Sequence, residues 1–251
     1  MRTELWLAAS LVLPPSLFAA APHFEAGRKE DHGPGGRVLV RCDAGETIGR
    51  TLSRLEKWRP HSLNVSGTCH ENLSIAGFDD LTIVGKTGAA LVPVPPATAP
   101  AIDVSASRLV SIEGLTIRAG DDPWRAALTL AACQDCRLRN VTVDGGVGFW
   151  AVSWSHVTLS RFTLTGTGAY GIGVFHAKVD MEDSVLDGGA GSRQCGLCLF
   201  ENAVAVVFRS EFKGFLVGVS ASSGGQVTFW DHSTATIELP NRFAPGLSPP
   251  Q

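Results

Sequence analysis

One tyrosine and two methionines stand against 28 glycines among the 251 residues, a balance that points to many turns around a β-branched core. Positive charge is not in excess. Lys and Arg number 21 against 24 Asp and Glu, a formal net charge of -3, and the basic stripe of a nucleic-acid binder is absent. Charged residues make up 18% and hydrophobic residues 44%, so the middle of the chain is neither disordered nor strongly charged. Long hydrophobic runs are missing too. The apolar run Leu5–Leu13 is too short to span a bilayer, and no later segment qualifies. The length suits one sizeable core and one to two domains.

What is present at the start reads as an export signal. Arg2 supplies the charged end, although Glu4 weakens it. Pro14 and Pro15 break the apolar run, and Phe18-Ala19-Ala20-Ala21 offers small residues for cleavage. Residues 1–21 are therefore expected to be a signal peptide, with a retained anchor as the alternative, and the mature protein to be secreted or periplasmic. The six cysteines suit that compartment and fall in three pairs by position: Cys42 with Cys69, Cys133 with Cys136, Cys195 with Cys198. Zinc would require the two Cys-x-x-Cys motifs to converge, and no metal site is expected.

An internal repeat sets the architecture. Val110-Ser-Ile-Glu-Gly-Leu-Thr-Ile is followed by copies starting at Cys136, Val157, Val179, Ala205 and Val227, which are 26, 21, 22, 26 and 22 residues apart. A looser copy begins at Asp80. The first, third and eighth positions are mostly apolar and the second and fourth mostly polar, the period of strands with one buried face. A second short strand follows in each copy: Ala127-Leu-Thr-Leu, Gly171-Ile-Gly-Val, Gly196-Leu-Cys-Leu, Leu216-Val-Gly-Val. Parallel strands in a flat sheet need helical crossovers, and none fits after residue 60. Coils of about 22 residues, each with three short strands and three turns, solve the problem.

A solenoid needs a cap on its open end. Ile48, Leu52, Leu55 and Trp58 share one helical face, so residues 46–58 are expected to be an N-terminal cap helix. A Cys42–Cys69 bond would pin it to the first coil; free thiols beside a surface helix are the alternative. The β-helix is expected over 38–239, with 240–251 as a C-terminal tail. The fifth repeat position reads Asn140, Arg161, Asp183, Arg209, Asp231, and coil stacking at about 4.8 Å would alternate opposite charges along one edge.

The coils, the opening Cys42-Asp-Ala-Gly-Glu-Thr-Ile and Asn64-Val-Ser-Gly-Thr-Cys69 resemble the right-handed parallel β-helix proteins of the pectin-lyase-like superfamily. The fold expected is thus an all-β, single-stranded right-handed parallel β-helix. The resemblance implies a groove for an extended polysaccharide beside the second strands, walled by the turns before them. Its floor would be Thr129, Gly173, Cys198 and Gly218, with Phe175, Phe200 and Ser220 nearby. Hydrolases of the superfamily need paired carboxylates, and lyases use calcium-binding carboxylates with an arginine or lysine base. None of these lies on that floor.

Gly120-Asp121-Asp122 resembles the Gly-Asp-Asp element of polygalacturonase-type hydrolases, but Asn-Thr-Asp, Gly-His-Gly and Arg-Ile-Lys are missing. Before Pro123 the string also reads as a turn. His156 and His176, with Lys178, could form an acid–base pair in consecutive turns or be exposed turn residues. Trp124, Phe149, Trp150 and Tyr170 fall in or beside the turns, as sugar platforms or as core, and Phe175 lies on the groove side. Phe208 and Trp230 share an outward repeat position, where they could form an aromatic step. The expected partner is a polysaccharide or cell-envelope glycan, bound without catalysis and without a cofactor. The rival is a lyase, hydrolase or epimerase of uronic-acid polymers, calcium entering only if it is a lyase. The sequence leaves the choice open.

Overall fold

The computed structural model describes residues 37–95, 99–119, 125–166, 170–189, 195–222, 224–230 and 242–243. Residues 1–21, read as a signal peptide, lie outside that range.

The described chain winds through three parallel faces. Face A carries Arg37–Arg41, His61–Ser66, Asp79–Gly85, the second half of Ile102–Glu113, Cys136–Arg139, His156–Ser160, Lys178–Glu182, Val204–Phe208 and Gln226–Trp230. Face B carries three-residue strands from Thr68–His70 to Glu211–Lys213, and face C the second strands, from Leu73–Ala76 to Val217–Ala221. All pairing is parallel, coil on coil, and the successive starts Cys136, Val157, Val179, Ala205 and Val227 are register partners. The repeat alignment is therefore the strand register.

Each apolar position of the repeat has one task. The first and third (Val110 and Ile112, Val157 and Leu159, Val179 and Met181) are buried beneath face A. The eighth is the single inward residue of each short face B strand: Ile117, Val143, Leu164, Leu186 and Phe212 stack in register and are buried. Three residues in a strand leave room for one inward side chain, since the flanking two must point out. Buried serines close two corners without leaving polar groups unpaired. Ser184 Oγ accepts from Phe162 N and donates to Glu182 O, while Ser155 Oγ accepts from Cys133 N.

The corner between faces A and B turns on one left-handed residue. Gly114, Asn140, Arg161, Asp183 and Arg209 all have φ between 43° and 63°. This is the expected charge edge, and it closes only in part. Arg209 grips Asp183 with two bonds of 2.6 and 3.0 Å. Arg161 makes no ion pair among the described residues, and Asp231 lies outside them. At the start of face C, Gly148, Gly171 and Gly196 stack so closely that a Cβ on any of them would strike the next coil's glycine carbonyl. Gly218, read as groove floor, is the next member of this stack.

The cap helix is present but shorter than 46–58. It spans Ile48–Leu52, capped by the Thr47 side chain and by Glu71, whose two oxygens accept from Ile48 N and Gly49 N at 2.7 and 2.8 Å. Beyond Leu52 the bonds tighten to i→i+3 turns (Leu55 N to Leu52 O, Arg59 N to Glu56 O), and Lys57 O is taken by Asp79 N of the first coils. Pro60 then disfavours a helical conformation at Arg59. Ile48 and Leu52 are buried, whereas Trp58, expected on the same face, is 59% exposed and carries Arg59 over its ring. Within the stretch read as a tail, Arg242–Phe243 pairs with Glu211 and Phe212 as a further rung of face B.

All six cysteines are paired: Cys42–Cys69, Cys133–Cys136 and Cys195–Cys198, with Cα separations of 4.9, 6.0 and 5.8 Å. No described helix is long and apolar enough to cross a membrane.

Candidate functional site

The outward positions of face C form two ladders along the solenoid. One runs Ser74, Asp103, Thr129, Trp150, Gly173, Cys198, Ser220; the other includes Ser105, Ala131, Val152, Phe175 and Phe200. Between them lie the inward Leu130, Ala151, Val174 and Leu199, and just before the first ladder the inward Leu128, Phe149, Ile172 and Leu197, all buried. Phe149 and Trp150 therefore part company: Phe149 is core, packed 6.5 Å from Phe162, and Trp150 is outward and half-buried. Gly173 sits beneath the rings of Trp150 and Phe175: a Cβ there would meet Phe175 at 3.4 Å and Trp150 Nε1 at 3.8 Å, so the rings cover the spot read as open groove floor. Trp150 lies 5.3 Å from Phe175, and Phe175 stacks 4.5 Å from Phe200 at 13°. The three rings make an aromatic band over three coils. Phe175 is flanked on both sides, and among the described residues no further ring stacks on the outer faces of Trp150 and Phe200. Trp150 Nε1 is buried without a hydrogen-bond partner among the described residues.

Asp103 is the one carboxylate on the described strands of face C, two coils from Trp150 with Thr129 between. Partial burial pushes its carboxyl above the ordinary aspartate range. Hydrolysis by paired carboxylates needs a second acid within about 5–9.5 Å, and no described face C strand supplies it.

The other titratable cluster sits on face A at its junction with face C. His156 bridges three coils: Nδ1 lies 3.0 Å from Asp135 Oδ1 and Nε2 2.9 Å from Asp180 Oδ2, which Lys178 Nζ also reaches at 2.8 Å. Asp180 Oδ1 is buried and has no hydrogen-bond partner among the described residues. The group ties three coils together.

Comparison with known proteins locates the architecture. No family model matches the sequence, and no curated protein matches it. Among solved structures, pectin methylesterase from carrot superposes with a TM-score of 0.59 at 13% identity, over 76% of this chain and 66% of that one. Pectin methylesterase PemA from Erwinia chrysanthemi gives 0.56 at 13%, over 86% and 79%. A pectate lyase variant from Xanthomonas campestris gives 0.51 at 13%, over 80% and 82%. The fold is the pectin-lyase-like right-handed β-helix. At 13% identity the likeness extends to the fold alone, and no functional residue is carried across.

Within this β-helix the remaining sequence candidates separate. Asp121, Asp122 and Trp124 lie outside the described residues. His156 and His176 do not form a pair. His156 is in register with Lys178, while His176 turns the corner with φ 46°, its Nδ1 3.2 Å from Glu201 and its ring 5.4 Å from Trp154. Tyr170 is not the coil partner of Trp150: Trp150 pairs with Gly173, three residues further on. Phe208 and Trp230 are neighbours in register, and Arg209 lies over the Phe208 ring. Sequence reasoning missed Asp103 and the role of Phe200. The alternation Ile102-Asp103-Val104-Ser105 held the signal for Asp103, one coil before the earliest second strand that the repeat suggested.

Proposed function

We propose that this protein is an exported β-helix that holds an extended polysaccharide or cell-envelope glycan along face C. The observation that carries the reading is the outward aromatic band Trp150–Phe175–Phe200 on a face whose other outward residues are mostly small or hydroxylic, with Asp103 and Val152 the exceptions. Aromatic rings offer an apolar contact area without a charge to desolvate, and the two end rings lie two coil steps, about 9.6 Å, apart along the axis. The fold's solved neighbours are named for pectin, a polymer of this kind. Export is supported by the three disulfides and the N-terminal signal-like segment.

Binding to a glycan array is expected to change little with salt, because screening acts on exposed charges. It should weaken in Trp150→Ala and Phe200→Ala while both variants stay folded. An array without hits, or folded variants with unchanged binding, would remove face C from the site.

One observation favours the enzyme reading. Partial burial raises the Asp103 carboxyl above the ordinary aspartate range, the direction in which a general acid is tuned. Asp121 and Asp122, the sequence candidates for its partner, lie outside the described residues. Cleavage of polygalacturonate, assayed with and without calcium, that disappears in Asp103→Asn and in the Asp121→Asn/Asp122→Asn double variant would replace binding by catalysis.

A further inference from the structure

Face A holds a surface of different chemistry. Arg137 and Arg139 stand two residues apart on one strand, in register with Thr158 and Ser160 of the next, and Arg161 turns the adjoining corner. With Leu138, Glu182 and Asp183 they line one shallow depression. All three arginines are exposed.

The nearby acids each bond another group. Glu113, across the rung from Arg139, accepts from Ser111 at 3.1 Å. Glu182 accepts from Ser160 at 3.0 Å. Asp135 and Asp180 are held by His156, and Asp180 by Lys178 as well. Asp183 takes two bonds from Arg209, which hold its carboxyl below the usual aspartate range; Arg161 adds only a lesser field. Asp80, two coils back, adds its field to Arg108. None of Arg137, Arg139 and Arg161 has an ion-pair partner within 4.0 Å among the described residues. Their guanidinium groups are grouped in one depression, and its two acids, Glu182 and Asp183, accept hydrogen bonds from Ser160 and Arg209 instead.

We propose that this depression binds the anionic groups of an acidic polysaccharide. The planar guanidinium fork matches a carboxylate in two parallel bonds, and Thr158 lines the same depression. Nothing in it requires the aromatic band, so the two surfaces can fail separately.

The test is titration of the full chain with polygalacturonate for carboxylate and dextran sulfate for sulfate, beside a neutral glucan and duplex DNA. Polygalacturonate or dextran sulfate should bind at about 50 mM salt and be largely released at about 500 mM, where the screening length falls to a few Å; the stronger of the two names the anion. Arg137→Gln/Arg139→Gln/Arg161→Gln should weaken this salt-sensitive binding on the order of ten- to a hundredfold with an unchanged melting temperature. The same charge change at Arg50, Arg54 and Arg59 should leave it within about twofold, and so should Trp150→Ala. Equal losses in the two arginine triples would reduce the effect to net charge and overturn the site. Binding to neither polyanion, DNA bound as tightly as the polysaccharide, or loss of the salt-sensitive binding in Trp150→Ala would each overturn it as well.

Discussion

Phe149→Ala is expected to lower stability by about 3–5 kcal/mol, a fall in melting temperature of about 6–20 °C for a chain of this size. Its neighbour Trp150→Ala should cost only about 1–2 kcal/mol, mostly the loss of one aromatic pair and some partial burial. The contrast follows from parity. Phe149 is fully buried beside Phe162, in register with Leu128 and Ile172, whereas Trp150 shares its rung with Thr129 and Gly173 outside the sheet. Truncating Phe149 leaves a cavity bounded by stacked coils above and below, which cannot collapse without moving the ladder. Truncating Trp150 uncovers Gly173 to solvent. Denaturant melts of the two variants decide the matter, and comparable losses would mean that Trp150 is a core residue and that the band on face C is no surface for sugar.

That parity shows how far the sequence could be read. Starts aligned on Cys136, Val157, Val179 and Ala205 are register partners in the fold, because the inward first and third positions must stack on like positions of the next coil. The eighth position was legible for the same reason. Phe149 and Trp150 were not separable, since both are large and apolar and alternation needs one anchored neighbour to set its phase. Asp103 escaped because its strand begins a coil earlier than the clear copies. The left-handed corner escaped because φ near 50° is a backbone property that Asn140 and Asp183 suggest only weakly and Arg161 and Arg209 contradict. The arginine group on face A was invisible for a further reason. Whether Arg137 and Arg139 are free depends on where Glu113, Glu182 and Asp183 spend their bonds, and those partners sit 22 to 26 residues away or two positions along the strand. The cap was overextended because a helical stripe continues to Trp58 while the backbone beyond Leu52 is drawn into the first coils by Asp79 and stopped by Pro60.

Loss of the Cys42–Cys69 bond should lower stability by about 3–4 kcal/mol in the chain-entropy model, against about 1.5–2 kcal/mol for Cys133–Cys136. The first closes a separation of 27 residues and the second one of 3. The larger loop also has a particular place. It ties the 3-10 turn Cys42–Ala44 to the first strand of face B, and Ile48 and Leu52 of the helix it encloses are buried against the end of the core. Glu71, two residues past Cys69, holds the helix amides, so the bond and the cap act on one segment. A solenoid gains stability from nearest-neighbour interfaces, and loosening its first element should therefore fray it from that end. Hydrogen exchange on Cys42→Ser should show protection lost first at Leu63, Val65, Leu73 and Ile75, while Val179 and Val207 keep theirs. Mass spectrometry of the unreduced protein should find Cys42 inaccessible to alkylation. An alkylatable Cys42, or a variant that loses protection evenly along the solenoid, would show that the bond does not hold the cap.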